Sequence, residues 1–522
     1  MRGLVSACAA ALLFGCSAAF GGVTPMPCMK GHDGHFHMEV DGRPFFVLAA
    51  QMHNSSAWPE YLPVFWKAAD ALSVNTVQAP VYWEIMEPAE GHYDFSMVDT
   101  LITQARTHRK RLALLWFGTW KNGAGHYVPL WMKRDTKRFP RLRDADGRQL
   151  DGMSPFGSQT LEKDKQAFSA LMKHLRERDS VEHTVIMVQV ENEPGLLGTV
   201  RDHSPEAEVA FHALVPADLA NGARGTDWMG RFGSDAAEYF AAWSVSRYVN
   251  GVAAAGKAEY PLPLYVNVWL RYRGLTQPGV EYPSGGATVN MLDLWKRETP
   301  AIDVIGTDTY TGNFAEYQAG VLPYQRADNA PFLSESGITE ENARWTWDML
   351  SRGALGASVF GVDDPDLHDA AIRLHGADNR LLAQTAPVLV PLAARGDVVS
   401  LIEEPGAPSP THRLGHWIVK ASYGAQWGQP DPSSAPIRDK PMGRAVVARL
   451  DETHFLVIGA ASRIGLTAAL HDTSLHEVRR VEQGEIDAKG AWHGTRIWNG
   501  DETDSGLNLP PEGVMLRVEV SP

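Results

Sequence analysis

The chain reads as an α/β protein: a (β/α)8 TIM barrel with insertions, followed by an all-β, sandwich-like C-terminal domain. Three observations predict this. Eight short apolar or β-branched runs alternate with helical patterns between Phe45 and Phe360, the rhythm of a closed parallel barrel wrapped by helices. Beyond Ala386 prolines interrupt the chain and strand patterns follow one another across turn clusters, as in a sandwich. The rival, a doubly wound open sheet, would carry a Gly-rich phosphate loop after its first strand in a nucleotide-binding version, and none is present.

In chain order, Arg2, the apolar stretch Leu4 to Phe14 and the small residues from Gly15 to Ala19 have the pattern of a secretory signal over residues 1–22, too short to span a bilayer as a mature helix. Leu13-Phe14-Gly15-Cys16 resembles a bacterial lipoprotein cleavage box, which would make Cys16 a lipidated first residue. The expected location is secreted or periplasmic, or on the outer membrane through that lipid. All three cysteines (Cys8, Cys16, Cys28) lie in the first 28 residues, so the mature fold is expected to have no internal disulfide, no Cys-ligated metal and no thiol nucleophile. His32, His35 and His37 are close enough to suggest a metal, but are read as a polar lead-in to a hairpin that turns at Asp41-Gly42.

The barrel is assigned to residues 30–385. Its strands are placed at Phe45–Ala50, Thr76–Val81, Arg111–Trp116, Thr184–Val190, Pro263–Trp269, Ala301–Ile305, Ala330–Leu333 and Ala354–Phe360. Helical patterns such as Ser96–Arg109, Gln166–Arg178 and Ala236–Ala255 lie between them. Residues 386–522 form the C-terminal β domain, expected to brace the barrel, because Trp417, Trp427, Trp492 and Trp498 show no planar spacing suited to a glycan. A chain of 522 residues is too long for a single core. Its formal net charge of −14 argues against nucleic acid or an acidic membrane as partner. Sixteen Trp and 14 Tyr favour sugar rings slightly, since the same residues make good core.

The chemistry is densest at Val185-Ile-Met-Val-Gln-Val-Glu-Asn-Glu-Pro-Gly195. There a buried apolar strand ends on Glu191, Asn192 and Glu193 before a Pro-Gly break. Carboxylates leaving a core must be hydrated, paired or shifted, and strand ends are where barrel active sites are built. A second acid, Glu335, ends the run Ala330-Pro-Phe-Leu-Ser-Glu. Counting strands puts Glu193 on the fourth and Glu335 on the seventh, across one rim. Two such carboxyls suit glycoside hydrolysis, about 5–5.5 Å apart in a retaining enzyme, with unlike environments for acid and nucleophile. Whether Glu191 shares a face with Glu193 depends on how regular the strand stays near Pro194.

With these residues in view, the chain resembles clan A glycoside hydrolases. Gln189-Val-Glu-Asn-Glu-Pro-Gly195 is similar to the strand-four motif of family-35 β-galactosidases, and Asn75-Thr-Val-Gln with Trp83 and Glu87-Pro-x-x-Gly91-x-Tyr-Asp-Phe95 resembles that family's second-strand signature. Asn499-Gly-Asp-Glu-Thr-Asp-Ser-Gly-Leu507 resembles part of the β domain of its bacterial branch. The resemblance implies that Glu193 is the acid/base, Glu335 the nucleophile, that Asn192 binds the sugar 2-hydroxyl, and that Tyr310 bonds to Glu335. Recognition departs from the family: Pro80 stands for a Tyr, Trp83-Glu84 for Trp-Asn, Phe117-Gly-Thr-Trp120 for the segment with a sugar-binding Glu, and Met52-His53-Asn54 for Ile-His-Tyr. From their strand-end positions, Trp83, Trp116 and Trp120 are candidates for a sugar platform, set against core packing. Glu84 is a candidate for a replaced hydroxyl contact, Asp363-Asp364 for a sugar contact or a helix cap, and Asp501 and Asp504 for an ordinary acidic turn rather than a calcium site.

The expected function is a retaining exo-β-galactosidase acting on oligosaccharides or plant-polysaccharide side chains, without metal or organic cofactor. Another clan A specificity (β-glucosidase or α-L-arabinopyranosidase) and a non-catalytic carbohydrate-binding barrel are the alternatives.

Overall fold

The computed structural model describes residues 24–220, 225–364, 369–423, 442–469, 477–487 and 489–521. Cys8, Cys16 and Trp427 lie outside them. A three-stranded antiparallel sheet comes first: β1 (Cys28–His32), β2 (His35–Val40) and β3 (Arg43–Phe45). Val40 pairs with Arg43 across Asp41 (φ 54°) and Gly42 (φ 72°), the left-handed pair a two-residue hairpin requires. Asp41 in turn pairs with Arg111. Cys28 is disulfide-bonded. His32 contacts Asp33 and His37 contacts Glu39.

The barrel closes from eight parallel strands: β4 (Val47–Gln51), β5 (Thr76–Tyr82), β6 (Arg111–Lys121), β9 (Val185–Asn192), β10 (Leu264–Trp269), β11 (Val304–Thr309), β12 (Leu333–Ser336) and β13 (Gly356–Phe360). A short hairpin, β7 (Arg141–Arg143) and β8 (Gln149–Met153), is inserted after the third of them. The fold class expected from the alternating runs is the one observed. β9 is the fourth barrel strand and β12 the seventh, so Glu193 and Glu335 lie at the ends where the count put them. Their strands are apolar because both faces are covered, by the barrel interior and by helices such as Ser158–Asp179 and Ala236–Glu259. Closure depends on a glycine: a Cβ at Gly356 would lie 2.2 Å from the carbonyl oxygen of Val47, its partner across the first and eighth strands. β11 and β12 begin at Val304 and Leu333, three residues after the expected Ala301 and Ala330, and β6 runs five residues beyond Trp116, to Lys121.

The last helix, Asp369–Ala393, continues through Pro387 and Pro391, across the place where prolines had marked the end of the barrel. A helix embedded on the barrel can carry prolines when burial outweighs the lost bonds. Among the described residues, ten strands follow as two antiparallel sheets. One holds β14 (Val398–Ile402), β17 (Arg444–Arg449), β18 (His454–Ala460), β20 (Val478–Ile486), β21 (Trp492–Trp498) and β23 (Val514–Val520). The other holds β15 (Thr411–Leu414), β16 (Trp417–Ser422), β19 (Ser462–Ala468) and β22 (Leu507–Leu509). Val419, Ile464 and Leu509 of the second sheet meet Val447, Val457 and Leu516 of the first in one core. The opposite face of the larger sheet joins the barrel: Val446, Leu456 and Ile458 share a core with Leu333, Trp345 and Leu389. Arg444 crosses that junction to Asp378 with bonds of 2.5 and 2.6 Å, both side chains buried, and Trp347 donates to the same carboxylate at 2.9 Å. Asn508 bonds the carbonyl oxygens of Asp501 and Asp504, which close an acidic turn.

Candidate active site

The end of β9 is built from backbone conformations that the residue types disfavour. Glu191 (φ 62°) and Glu193 (φ 44°) both lie in the left-handed region, which costs a non-glycine residue about 1–3 kcal/mol. Two bonds hold the kink: the Glu193 amide donates to Asn267 Oδ1 at 2.8 Å, and the Asn122 amide to the Asn192 carbonyl at 3.1 Å. The kink settles the question that strand parity left open. Glu191 turns into the wall, where its carboxyl accepts from the Trp120 amide at 2.7 Å and contacts the buried Asp164. Glu193 turns into the barrel mouth.

The mouth encloses a cavity of about 350 Å³ lined by Asn54, Lys121, Asn122, Glu193, Trp269, Leu270, Tyr272, Asp308, Tyr310, Glu335 and Phe360. Glu335 rises from its floor with both oxygens occupied. Oε1 accepts from Gln51 Nε2 at 2.8 Å, Asn192 Nδ2 at 3.3 Å and Asn267 Nδ2 at 3.4 Å, and Oε2 accepts from Tyr310 Oη at 2.7 Å. Four donors on one carboxyl suit an anion. Opposite it, Glu193 has no such set. Burial first, and then the negative charge of Glu335, push the Glu193 carboxyl up to about 7, against the pull of Lys121 and a hydrogen bond with Asp308. Burial, then Glu335 and Glu193, hold Asp308 well above the carboxylate range. Burial, then the charges of Glu335 and Asp308, raise Tyr310, so its hydroxyl stays a donor. Two acids in unlike surroundings across a small cavity can divide the work of protonation and attack. The buried Asn192 Oδ1 and Asn54 Oδ1 have no donor among the described residues.

Of the residues expected from sequence, Glu193, Glu335 and Tyr310 line the cavity, and Asn192 bonds to Glu335 beneath it. The tryptophans expected as a platform need correction. Trp83, Trp116 and Trp120 are fully buried core residues. Trp83 donates to Glu87 at 2.7 Å, Trp116 to Asp164 at 2.9 Å, and Trp120 packs edge-on against Tyr248. Glu84 also stands off the cavity, paired with Lys133 at 3.1 Å. Asp363 accepts from the His53 amide and contacts its ring. The aromatic face in the mouth is Trp269, 36% exposed at the end of β10, with Tyr310 at 51%. Gln51, Lys121, Asn267, Trp269 and Asp308 were not anticipated. Alternation supplies the signal for three of them: Asn267 and Trp269 share a face of β10, and Asp308 shares one with Tyr310. Lys121 lies five residues beyond the strand end expected at Trp116, outside the stretch in which alternation could point to it.

Comparison with known proteins adds two matches within the chain. Residues 57–243 match the model of glycoside hydrolase family 42, described as β-galactosidase, and residues 376–510 match one described as a domain of unknown function, DUF5597. The enzyme class expected from the sequence, a glycoside hydrolase, is met by the first match. No curated protein matches the chain. Among solved structures, the β-galactosidase of Bacillus circulans sp. alkalophilus is similar at 15% identity and a TM-score of 0.49, over 66% of this chain and 57% of that one. That of Rahnella sp. R3 is similar at 17% identity and 0.47, over 66% and 57%. The catalytic domain of β-amylase from Paenibacillus polymyxa is similar at 12% identity and 0.47, over 63% and 96%. The chain thus spans 57% of the length of the first two.

Proposed function

We propose that the protein is a retaining exo-β-galactosidase, of the family-35 type with an added C-terminal β domain, that removes terminal β-D-galactosyl residues from oligosaccharides or plant-polysaccharide side chains. One observation carries the reading: Glu193 and Glu335 reach a single cavity from the fourth and seventh strand ends in opposite electrostatic settings. Glu335, fixed by four donors, attacks the anomeric carbon as Glu193 passes its proton to the glycosidic oxygen. Water then gives a proton to Glu193 and its oxygen to the anomeric carbon, releasing Glu335 with retained configuration. A cavity of about 350 Å³ is at the small end of ligand sites, which suits a terminal sugar. The leader's pattern supports export, with Cys16 as the point of lipid attachment where the lipoprotein box is used. Among the described residues no helix is long and apolar enough to cross a membrane.

The test is hydrolysis of nitrophenyl β-galactoside, β-glucoside, α-arabinopyranoside and β-fucoside by the wild type and by Glu193→Gln and Glu335→Gln. Galactoside cleavage should fall by about 10²–10⁴ in each folded variant, with the β-anomer formed first by NMR. Near-normal turnover in Glu335→Gln, or inverted product, would overturn the mechanism. Cleavage of another sugar would replace the galactosidase assignment.

A further inference from the structure

Asp308 is the third carboxyl in the cavity, and the reaction just described gives it no task. It is buried at the end of β11 and lines the same space as Glu193 and Glu335. Each of its oxygens already accepts one bond: Oδ1 from Ser334 Oγ at 2.8 Å, Oδ2 from Asn267 Nδ2 at 2.7 Å. The approach of Ser334 needs the bare backbone of Gly306, where a Cβ would lie 2.5 Å from the Ser334 hydroxyl. Asp308 is also in hydrogen-bond contact with Glu193. Two carboxyls are acceptors only when ionised, so such a contact requires a proton between them. Asn267 ties the group together, since it also accepts from the Glu193 amide and reaches Glu335.

The surroundings decide which acid keeps the proton. The partners of Asp308 named above are Asn267, Ser334 and Glu193, none of them a cation. Glu335 and Glu193 face it as negative charges, and Tyr265, Tyr272, Tyr310 and Tyr324 as neutral phenols. The nearby cation, Lys121, acts on Glu193. Glu193 is therefore the member of the pair that an opposite charge helps to ionise, while Asp308 sits deeper among like charges.

We propose that Asp308 is a positioning residue that stays a neutral carboxylic acid and donates its O–H to Glu193, aiming that carboxyl at the cavity and stabilising the anion left when it gives up its proton. The inference rests on the acid/base role assigned to Glu193 above. Protons balance without Asp308 being consumed. In the first half-reaction the Glu193 proton goes to the leaving oxygen, and in the second a proton from water restores it. Asp308 keeps its own proton throughout and strengthens its bond to Glu193 in between.

Asp308→Asn keeps a neutral donor, whereas Asp308→Leu removes it. On an alkyl β-galactoside, whose departure needs the acid, Asp308→Asn should hold kcat/KM within a few-fold of wild type and leave the alkaline limb in place. Asp308→Leu should lose about ten- to a hundredfold, the loss of a bond to a charged group, and move that limb to higher pH. An alkaline limb lowered by about one unit or more in Asp308→Asn would mean that a negative charge had been removed, overturning the proposal; so would a pH profile that Asp308→Leu leaves unmoved. Infrared titration separates this from the glycosidase reading. In a Glu191→Gln background, above the pH at which Glu193 ionises, a carboxylic-acid C=O band should persist in Glu193→Gln and vanish in Asp308→Asn. Loss of that band in Glu193→Gln overturns the proposal even if no variant cleaves any glycoside. A silent wild type that keeps the band would refute only the activity.

Discussion

Lys121 gives the sharpest handle on the acid. Its ammonium lines the cavity with Glu193 and favours the ionised form of that carboxyl. Lys121→Met removes the charge, and with it the contact of the ammonium with the Phe117 ring at 5.4 Å, but keeps an unbranched stem. A cavity of about 350 Å³ is about 9 Å across. Opposite charges at that separation interact by about 2 kcal/mol at an effective dielectric of about 20, a little over one pKa unit before screening. The Glu193 carboxyl, now at about 7, should therefore rise by about one unit. Catalysis needs it protonated in the first step, so the alkaline limb of kcat/KM moves with it. At pH 8 the protonated fraction goes from about one-tenth to about one-half, so activity relative to the variant's own acid plateau rises about fivefold. The assay is kcat/KM from pH 5 to 9 on an alkyl β-galactoside, with Lys121→Arg as the charge-preserving control. A lower plateau alone would mean lost sugar contacts. A limb that stays put or moves down would refute the electrostatic account.

Two further predictions concern stability. Glu191 and Asp164 form a second buried acid pair in contact with each other: burial first, and for Glu191 then the Asp164 charge, raise both. Acids raised on folding bind a proton the unfolded chain has released. Their stabilisation is therefore complete below the unfolded carboxyl range and declines as pH rises, by at most about 1.4 kcal/mol per pH unit for each proton. Urea midpoints between pH 5 and 8 should fall less steeply in Glu191→Gln than in wild type; parallel curves would show that no proton is held there. At the junction of the two domains, Arg444→Ala leaves Asp378 buried without its partner and should cost about 3–5 kcal/mol. Barrel and C-terminal domain should still unfold together in calorimetry, because their apolar residues share one core; a cost under about 1 kcal/mol would mean that water reaches Asp378.

The barrel was legible because its period is long and its strands are buried on both faces, so each appears as an apolar run whatever its exact limits. Acids at the ends of two such runs stood out because burial makes them expensive. The tryptophans misled for the same physical reason: a position at a strand end does not say whether an indole turns to the mouth or to the helices. Trp116 and Trp120 turn to the helices, where Asp164 and Tyr248 receive them. Trp269 turns to the mouth from a strand whose inner face also carries Tyr265 and Asn267. Pro387 and Pro391 marked a break that tertiary packing overrides.

What period alone could not supply is the turn of Glu193 into the cavity. Glu191 and Glu193 have the same parity, and a regular strand would aim both the same way. The structure separates them by two left-handed residues at a cost of about 1–3 kcal/mol each, held by bonds from residues far apart in sequence, Asn122 and Asn267. A glycine at either position would relieve the strain and forfeit the carboxyl. The strain and the acid pairs therefore have one origin. The chain places Glu191 and Glu193 where only a distorted strand can set them on opposite sides of a wall, and each then meets a partner acid, Asp164 or Asp308, with which it shares a proton.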